Sequence, residues 1–265
     1  MKNDLAYTNS DFIPDGASYP DRWATLARDR REVEAAIGRA RLNDPYGPGE
    51  RQKMDIFHPA GRAEGLVVFV HGGYWMRFDR SFWSHLAHGA TARGWAVAMP
   101  SYTLAPDARI PAMTREIAQA VAHAASRVGG PIRLTGHSAG GHLVARMLCP
   151  DVPLPPEALG RLARVMPISP VADLRPLLET SMNATLGLDA DEAARESPAL
   201  CLAPREVPVT VWVGADERPA FVEQARWLAK AWPHADLVIE DGRHHFDVID
   251  GLANPDSEMI ARLLG

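Results

Sequence analysis

Short apolar runs alternate along the chain with segments whose apolar positions recur at helical spacing. The runs are Met54 to Phe57, Leu66 to Val70, Ala96 to Met99, Ile132 to Leu134, Val165 to Ile168, Val209 to Val213 and Leu237 to Ile239. Between and after them, helical patterns fill Ser81 to Arg93, Met113 to Val128, Gly141 to Leu148, Ala220 to Ala231 and Ser257 to Leu264. Strand and helix in alternation is the signature of βαβ units around a mostly parallel sheet, so the fold class is α/β. Two segments stand apart from this rhythm. Asp21 to Ala40 is a heavily charged amphipathic helix with Trp23, Leu26, Ala27 and Val33 on or near one face. Leu174 to Leu188 has no clear period but gathers Pro176, Thr180, Ser181 and Asn183. Pro150 to Pro156 reads as a surface connection, and no internal repeat or low-complexity tract is present.

Composition narrows the function classes. With 265 residues, 46% of them hydrophobic, the chain is able to bury one large core, and residues 1–265 read as a single domain. A net charge of -5 and no basic cluster argue against a nucleic-acid partner. Cys149 and Cys201 form no disulfide framework and no metal-like spacing, which fits a reducing compartment. The start of the chain carries no apolar signal segment and no run is long enough to span a bilayer, so the expectation is a cytoplasmic protein without a membrane partner. His85 with His88, and His137 with His142, lack the i, i+4 spacing and the acidic or thiol company of a zinc site. No metal and no cofactor are expected.

The chemistry concentrates after the apolar runs. Gly136-His137-Ser138-Ala139-Gly140 follows Ile132 to Leu134 and leads into a helix-compatible stretch, the strand-turn-helix setting of a nucleophile elbow. Small flanking residues suit a serine whose backbone crowds both strand and helix. Upstream, Leu66 to Val70 ends in His71-Gly72-Gly73-Tyr74-Trp75, the position of an oxyanion loop. The amides of Gly73, Tyr74 and Ala139 are the expected donors to a tetrahedral oxyanion, with Gly72 shaping the turn and His71 bracing it. A serine nucleophile needs a histidine base oriented by a carboxylate, in chain order serine, acid, histidine. Val209 to Val213 ends in Gly214-Ala215-Asp216-Glu217, which offers Asp216 as the acid with Glu217 as its neighbouring competitor. Leu237 to Ile239 is followed by a polar loop holding His244 and His245, one of which is the base.

The whole chain resembles the serine-dependent kynurenine formamidase (arylformamidase) branch of the α/β-hydrolase superfamily, near the hormone-sensitive-lipase-like esterases. The resemblance rests on His71-Gly72-Gly73-Tyr74-Trp75, Tyr102-Thr103-Leu104-Ala105-Pro106, Gly136 to Leu143, and Asp173-Leu174-Arg175-Pro176-Leu177 followed by Thr180-Ser181-Met182-Asn183. The Tyr74-Trp75 pair is the discriminating mark, because related general esterases usually carry a third glycine there. The resemblance selects His245, which directly precedes Phe246, as the base. It further implies an α/β-hydrolase fold with a small cap, built from 21–40 and from the insertion 174–188 after strand six. Trp75, Asn183 and Phe246 are then the expected pocket residues, and the substrate a small molecule, N-formylkynurenine, hydrolysed through a formyl-enzyme on Ser138, Asp216 and His245. The triad alone equally serves a carboxylesterase on short-chain esters, and a non-catalytic ligand-binding protein on the same fold is the remote alternative. One departure bears on substrate: Pro170, after Ser169, stands where the family usually has glycine. A homodimer is compatible with the sequence.

Overall fold

Leu66, Val68 and Val70 enter one apolar cluster of the core, while Val67 and Phe69, one residue out of step, enter a second. Side chains alternate across a strand, so a run that is apolar throughout requires a covered layer on both of its faces. The computed structural model, which describes residues 1–265, has that architecture. Its strands are β1 (Ala40–Pro45), β2 (Lys53–Phe57), β3 (Leu66–Val70), β4 (Ala96–Pro100), β5 (Ile132–His137), β6 (Leu162–Ile168), β7 (Val209–Gly214) and β8 (Ala235–Glu240). They form one eight-stranded sheet in the order β1-β2-β4-β3-β5-β6-β7-β8. The pairs β1 with β2 and β2 with β4 are antiparallel, and every later pairing is parallel.

Helices Ile110–Arg127 and Pro219–Ala231 cover one face, burying Ile117, Val121, Phe221 and Leu228. The other face is covered by Trp23 of helix Tyr19–Ala36 and by Met259, Ile260 and Leu263 of helix Glu258–Leu264. Proline within the first turn starts three of these helices, where its missing N–H has no intrahelical partner to lose. No helix is long and apolar enough to cross a membrane.

Three elements differ from the sequence reading. β1 was not expected, because an edge strand with alternating exposure shows no apolar run; its formation ends the predicted helix at Ala36 rather than at residue 40. The pattern over Ser81 to Arg93 resolves into 3-10 turns Arg80–Phe82 and Ser84–Ala87 followed by the helix His88–Ala92. Asp79 caps the first turn through the Ser81 amide, and Trp83, buried at φ -123°, breaks the helical path between the two turns. Leu174 to Leu188 holds the 3-10 turn Arg175–Glu179 and the helical turn Asn183–Leu186, with Leu174, Leu177, Leu186 and Leu188 sunk into the sheet core. The carboxyl ends of β3, β5, β7 and β8 lie along one edge of the sheet, where open α/β folds place their chemistry.

Candidate active site

Ser138 sits between β5 and helix Ala139–Arg146 with φ 55° and ψ -116°. A non-glycine residue at positive φ costs of order 1–3 kcal/mol and persists where its surroundings enforce it. Enforcement here comes from close approach: a Cβ on Gly140 would lie 2.0 Å from the Val70 carbonyl oxygen, so the helix touches β3 backbone to backbone. The Ser138 amide donates to the Ile168 carbonyl at 2.9 Å, tying the elbow to β6.

Opposite the elbow, β3 runs into the glycine loop. Gly73 has φ 109°, and a Cβ there would meet the Arg77 carbonyl oxygen at 2.5 Å. Tyr74 and Trp75 follow at φ 57° and 58°, and the Met76 and Arg77 amides both donate to the Gly73 carbonyl. The loop thereby closes on itself while the Gly73 and Tyr74 amides donate to no protein acceptor. His71 stacks on Tyr102 at 4.5 Å between ring centroids, and the Tyr102 hydroxyl donates to the His71 carbonyl. Burial pushes the His71 imidazole down to about 4, so it packs as a neutral ring.

The structure places Glu217, not Asp216, against the histidine. His245 Nδ1 donates to Glu217 Oε2 at 2.5 Å, and both side chains are buried. The other oxygen, Oε1, accepts from the Gly214 amide at 2.9 Å and from the Ser169 hydroxyl. Asp216 is exposed, and its amide donates to the Arg243 carbonyl. The chain turns at Gly214 hard against Arg243, so the third residue of the turn faces inward and the second faces solvent. His245 packs between the rings of Phe221 at 4.2 Å and His137 at 4.6 Å. Burial first, then the adjacent His245, holds His137 well below the ordinary histidine range. His244 instead hydrogen-bonds the Tyr19 hydroxyl at 3.2 Å, linking this loop to the N-terminal helix.

Ser138 and His245 open into a cavity of about 320 Å³ walled by Trp23, Phe78, Trp83 and Phe246. Gly73 and Tyr74 border it as well, and residues 10–20 supply its outer rim. Of the three residues expected at the pocket, Phe246 lines this cavity. Trp75 does not: the consecutive left-handed residues turn its ring into the core, edge-on to His142 at 5.3 Å. Asn183 is also elsewhere, its amide spent on the Leu188 N–H and C=O at 2.8 and 3.0 Å. The sequence reading missed Phe78, Trp83 and the Ser169 hydroxyl, which no motif marks and which only the folded chain brings to the site. No group of three His, Cys, Asp or Glu side chains is arranged to hold a metal.

A sequence model of the alpha/beta hydrolase fold matches residues 67–201, just over half of the chain. The chain belongs to the α/β-hydrolase family. Kynurenine formamidase of Salmo salar is 28% identical to this hydrolase over 258 residues, covering 91% of this chain and 86% of the relative. That of Drosophila melanogaster is 29% identical over 240 residues, covering 83% and 78%. Among solved structures, a candidate thioesterase from Silicibacter sp. TM1040 is 55% identical, with a TM-score of 0.97 and full coverage of both chains. Esterase B from Lactobacillus rhamnosis shares the fold at 20% identity, with a TM-score of 0.68 over 93% of this chain and 90% of that one.

Proposed function

We propose that this α/β hydrolase cleaves aryl formamides, with N-formylkynurenine as its substrate, through Ser138, His245 and Glu217. The observation that carries the reading is the cavity over Ser138, about 320 Å³ and walled by aromatic rings. A formyl group needs almost no acyl pocket, so this space is free to hold an aromatic leaving group. Similarity to kynurenine formamidases over most of the chain supports the same choice.

In this mechanism His245 takes the Ser138 proton as Oγ attacks the formyl carbon, and Glu217 stabilises the resulting imidazolium through Nδ1–H. The oxyanion is met by the free amides of Gly73 and Tyr74 and by the Ala139 amide at the start of the helix after Ser138; removal of one such donor typically costs about 3 kcal/mol of transition-state stabilisation. His245 returns the proton to the aniline nitrogen, the C–N bond breaks, and the amine leaves. Water then attacks the formyl-enzyme by the same route and formate departs.

Hydrolysis of short-chain esters or thioesters is the second reading, favoured by the 55% identical candidate thioesterase. Turnover of N-formyl-L-kynurenine, p-nitrophenyl acetate and an acetyl thioester, with Ser138→Ala as blank, separates them. A kcat/KM of roughly 10⁴ M⁻¹s⁻¹ or more on the formamide supports formamidase action. Ester or thioester turnover without formamide turnover rejects it.

A further inference from the structure

A second cavity of about 360 Å³ adjoins the first and shares Ser10, Tyr74 and Arg77 with it as a common wall. Asp11 and, from the 174–188 segment, Ser181 and Met182 line it as well. Arg77 and Asp11 are both exposed. The charged groups around them are already engaged. Asp4 pairs with the chain's amino group and accepts from the Ser181 amide, and the Arg218 guanidinium lies over the Phe12 ring at 3.7 Å. Asp79, beyond Phe78, is held by Ser81. Arg77 and Asp11 have no such partners and do not pair with each other, although both are close enough to act electrostatically on the Tyr74 phenol, in opposite directions. Asn9 fixes that phenol with a hydrogen bond of 3.1 Å.

We infer that this second chamber is the subsite for a zwitterionic α-amino-acid group, with Arg77 receiving the carboxylate and Asp11 the ammonium. The inference rests on the formamidase reading for its substrate and sharpens it. One free cation and one free anion in the lining of one chamber, unpaired with each other, match a ligand that carries both charges and is neutral overall. An acyl chain placed there would cover two charges and compensate neither. A polyphosphate would meet a single arginine and an opposing carboxylate. A guanidinium takes a carboxylate through paired N–H donors, which a lysine in its place would not reproduce. In kynurenine a single methylene joins the ring ketone to the amino-acid group, so a ring seated among Trp23, Phe78 and Phe246 holds its tail close to the shared residues Tyr74 and Arg77 that border this chamber.

The test uses the reaction product as probe, which makes it independent of whether the formamide is cleaved. Inhibition of p-nitrophenyl acetate hydrolysis by L-kynurenine and by 2-aminoacetophenone, which has the same ring and ketone but no amino-acid group, is measured on wild type, Arg77→Gln and Asp11→Asn. Each inhibition constant is referred to that variant's own ester rate. L-kynurenine is expected to bind wild type at least tenfold more tightly than 2-aminoacetophenone, and each substitution to remove about tenfold of that preference while leaving 2-aminoacetophenone unaffected. Equal inhibition of wild type by the two amines, or an equal loss of both in the variants, overturns the subsite. Formamide turnover, read separately, decides the proposed function.

Discussion

Glu217 meets His245 from the end of β7 with its carboxylate already held by the Gly214 amide and the Ser169 hydroxyl. A carboxylate fixed in this way sets both the orientation and the tautomer of the imidazole, leaving Nε2 as the proton acceptor. Glu217→Gln keeps the shape but offers an amide in place of one oxygen, so kcat for p-nitrophenyl acetate is expected to fall by about 10³–10⁴-fold. Asp216→Asn, on an exposed side chain, is expected to stay within about twofold of wild type. The reverse order of effects would return the acid role to Asp216. Adjacent acids at a strand end are equivalent in sequence; the choice is made by the turn against Arg243 and by Ser169, 48 residues away. Ser138 and the Gly72-Gly73 loop were legible for the opposite reason, because their strained backbone demands small neighbours within the same few residues.

At the scale of elements, a buried acid on β2 ties the N-terminal helix to the sheet, beside the Tyr19–His244 hydrogen bond. The Asp55 carboxylate, fully buried, accepts from Arg31 of helix Tyr19–Ala36, from Arg80 of the turn after β3 and from the Asn43 amide of β1. Removing one member of a buried ionic group strands the others, at a cost of about 3–5 kcal/mol. Asp55→Ala is therefore expected to lower the urea midpoint by that equivalent, and to raise KM by loosening Trp23 and the cavity rim with it. A variant with unchanged midpoint would show that the helix is held without Asp55, by its apolar face and its other hydrogen bonds. This tie also explains what sequence pattern missed: β1 reads as polar because it is an edge strand whose work is to bring Asn43 to Asp55. The interior strands were legible as apolar runs because both of their faces are covered.

Across the whole molecule, buried histidines make stability depend on pH well above the carboxylate range. Burial pushes His71 and His85 down to about 4 and His142 to about 3, and holds His137 well below its ordinary value. In the unfolded chain all four titrate near 6.5, so between about pH 6.5 and pH 4 the unfolded state binds protons that the folded state refuses. Stability is then fully present above the unfolded value and falls as the pH drops, by up to about 1.4 kcal/mol per pH unit for each histidine. Carboxylates such as Asp44, Asp79 and Asp173 are shifted down, so their contribution is lost only below about pH 4. Histidine protonation thus draws on a typical domain stability of about 5–15 kcal/mol before those acids titrate. Urea unfolding at intervals from pH 7 to pH 5 is expected to show a steep, monotonic loss of unfolding free energy. His85 is half-buried, its Nδ1 has no hydrogen-bond partner, and it stands apart from the cavity over Ser138, so it isolates one increment of that slope. His85→Leu should flatten the dependence by about 1.4 kcal/mol per pH unit. An unfolding free energy that stays level from pH 6.5 to pH 5 in wild type would mean that the buried rings take up protons in place, and would leave acid sensitivity to the carboxylates alone.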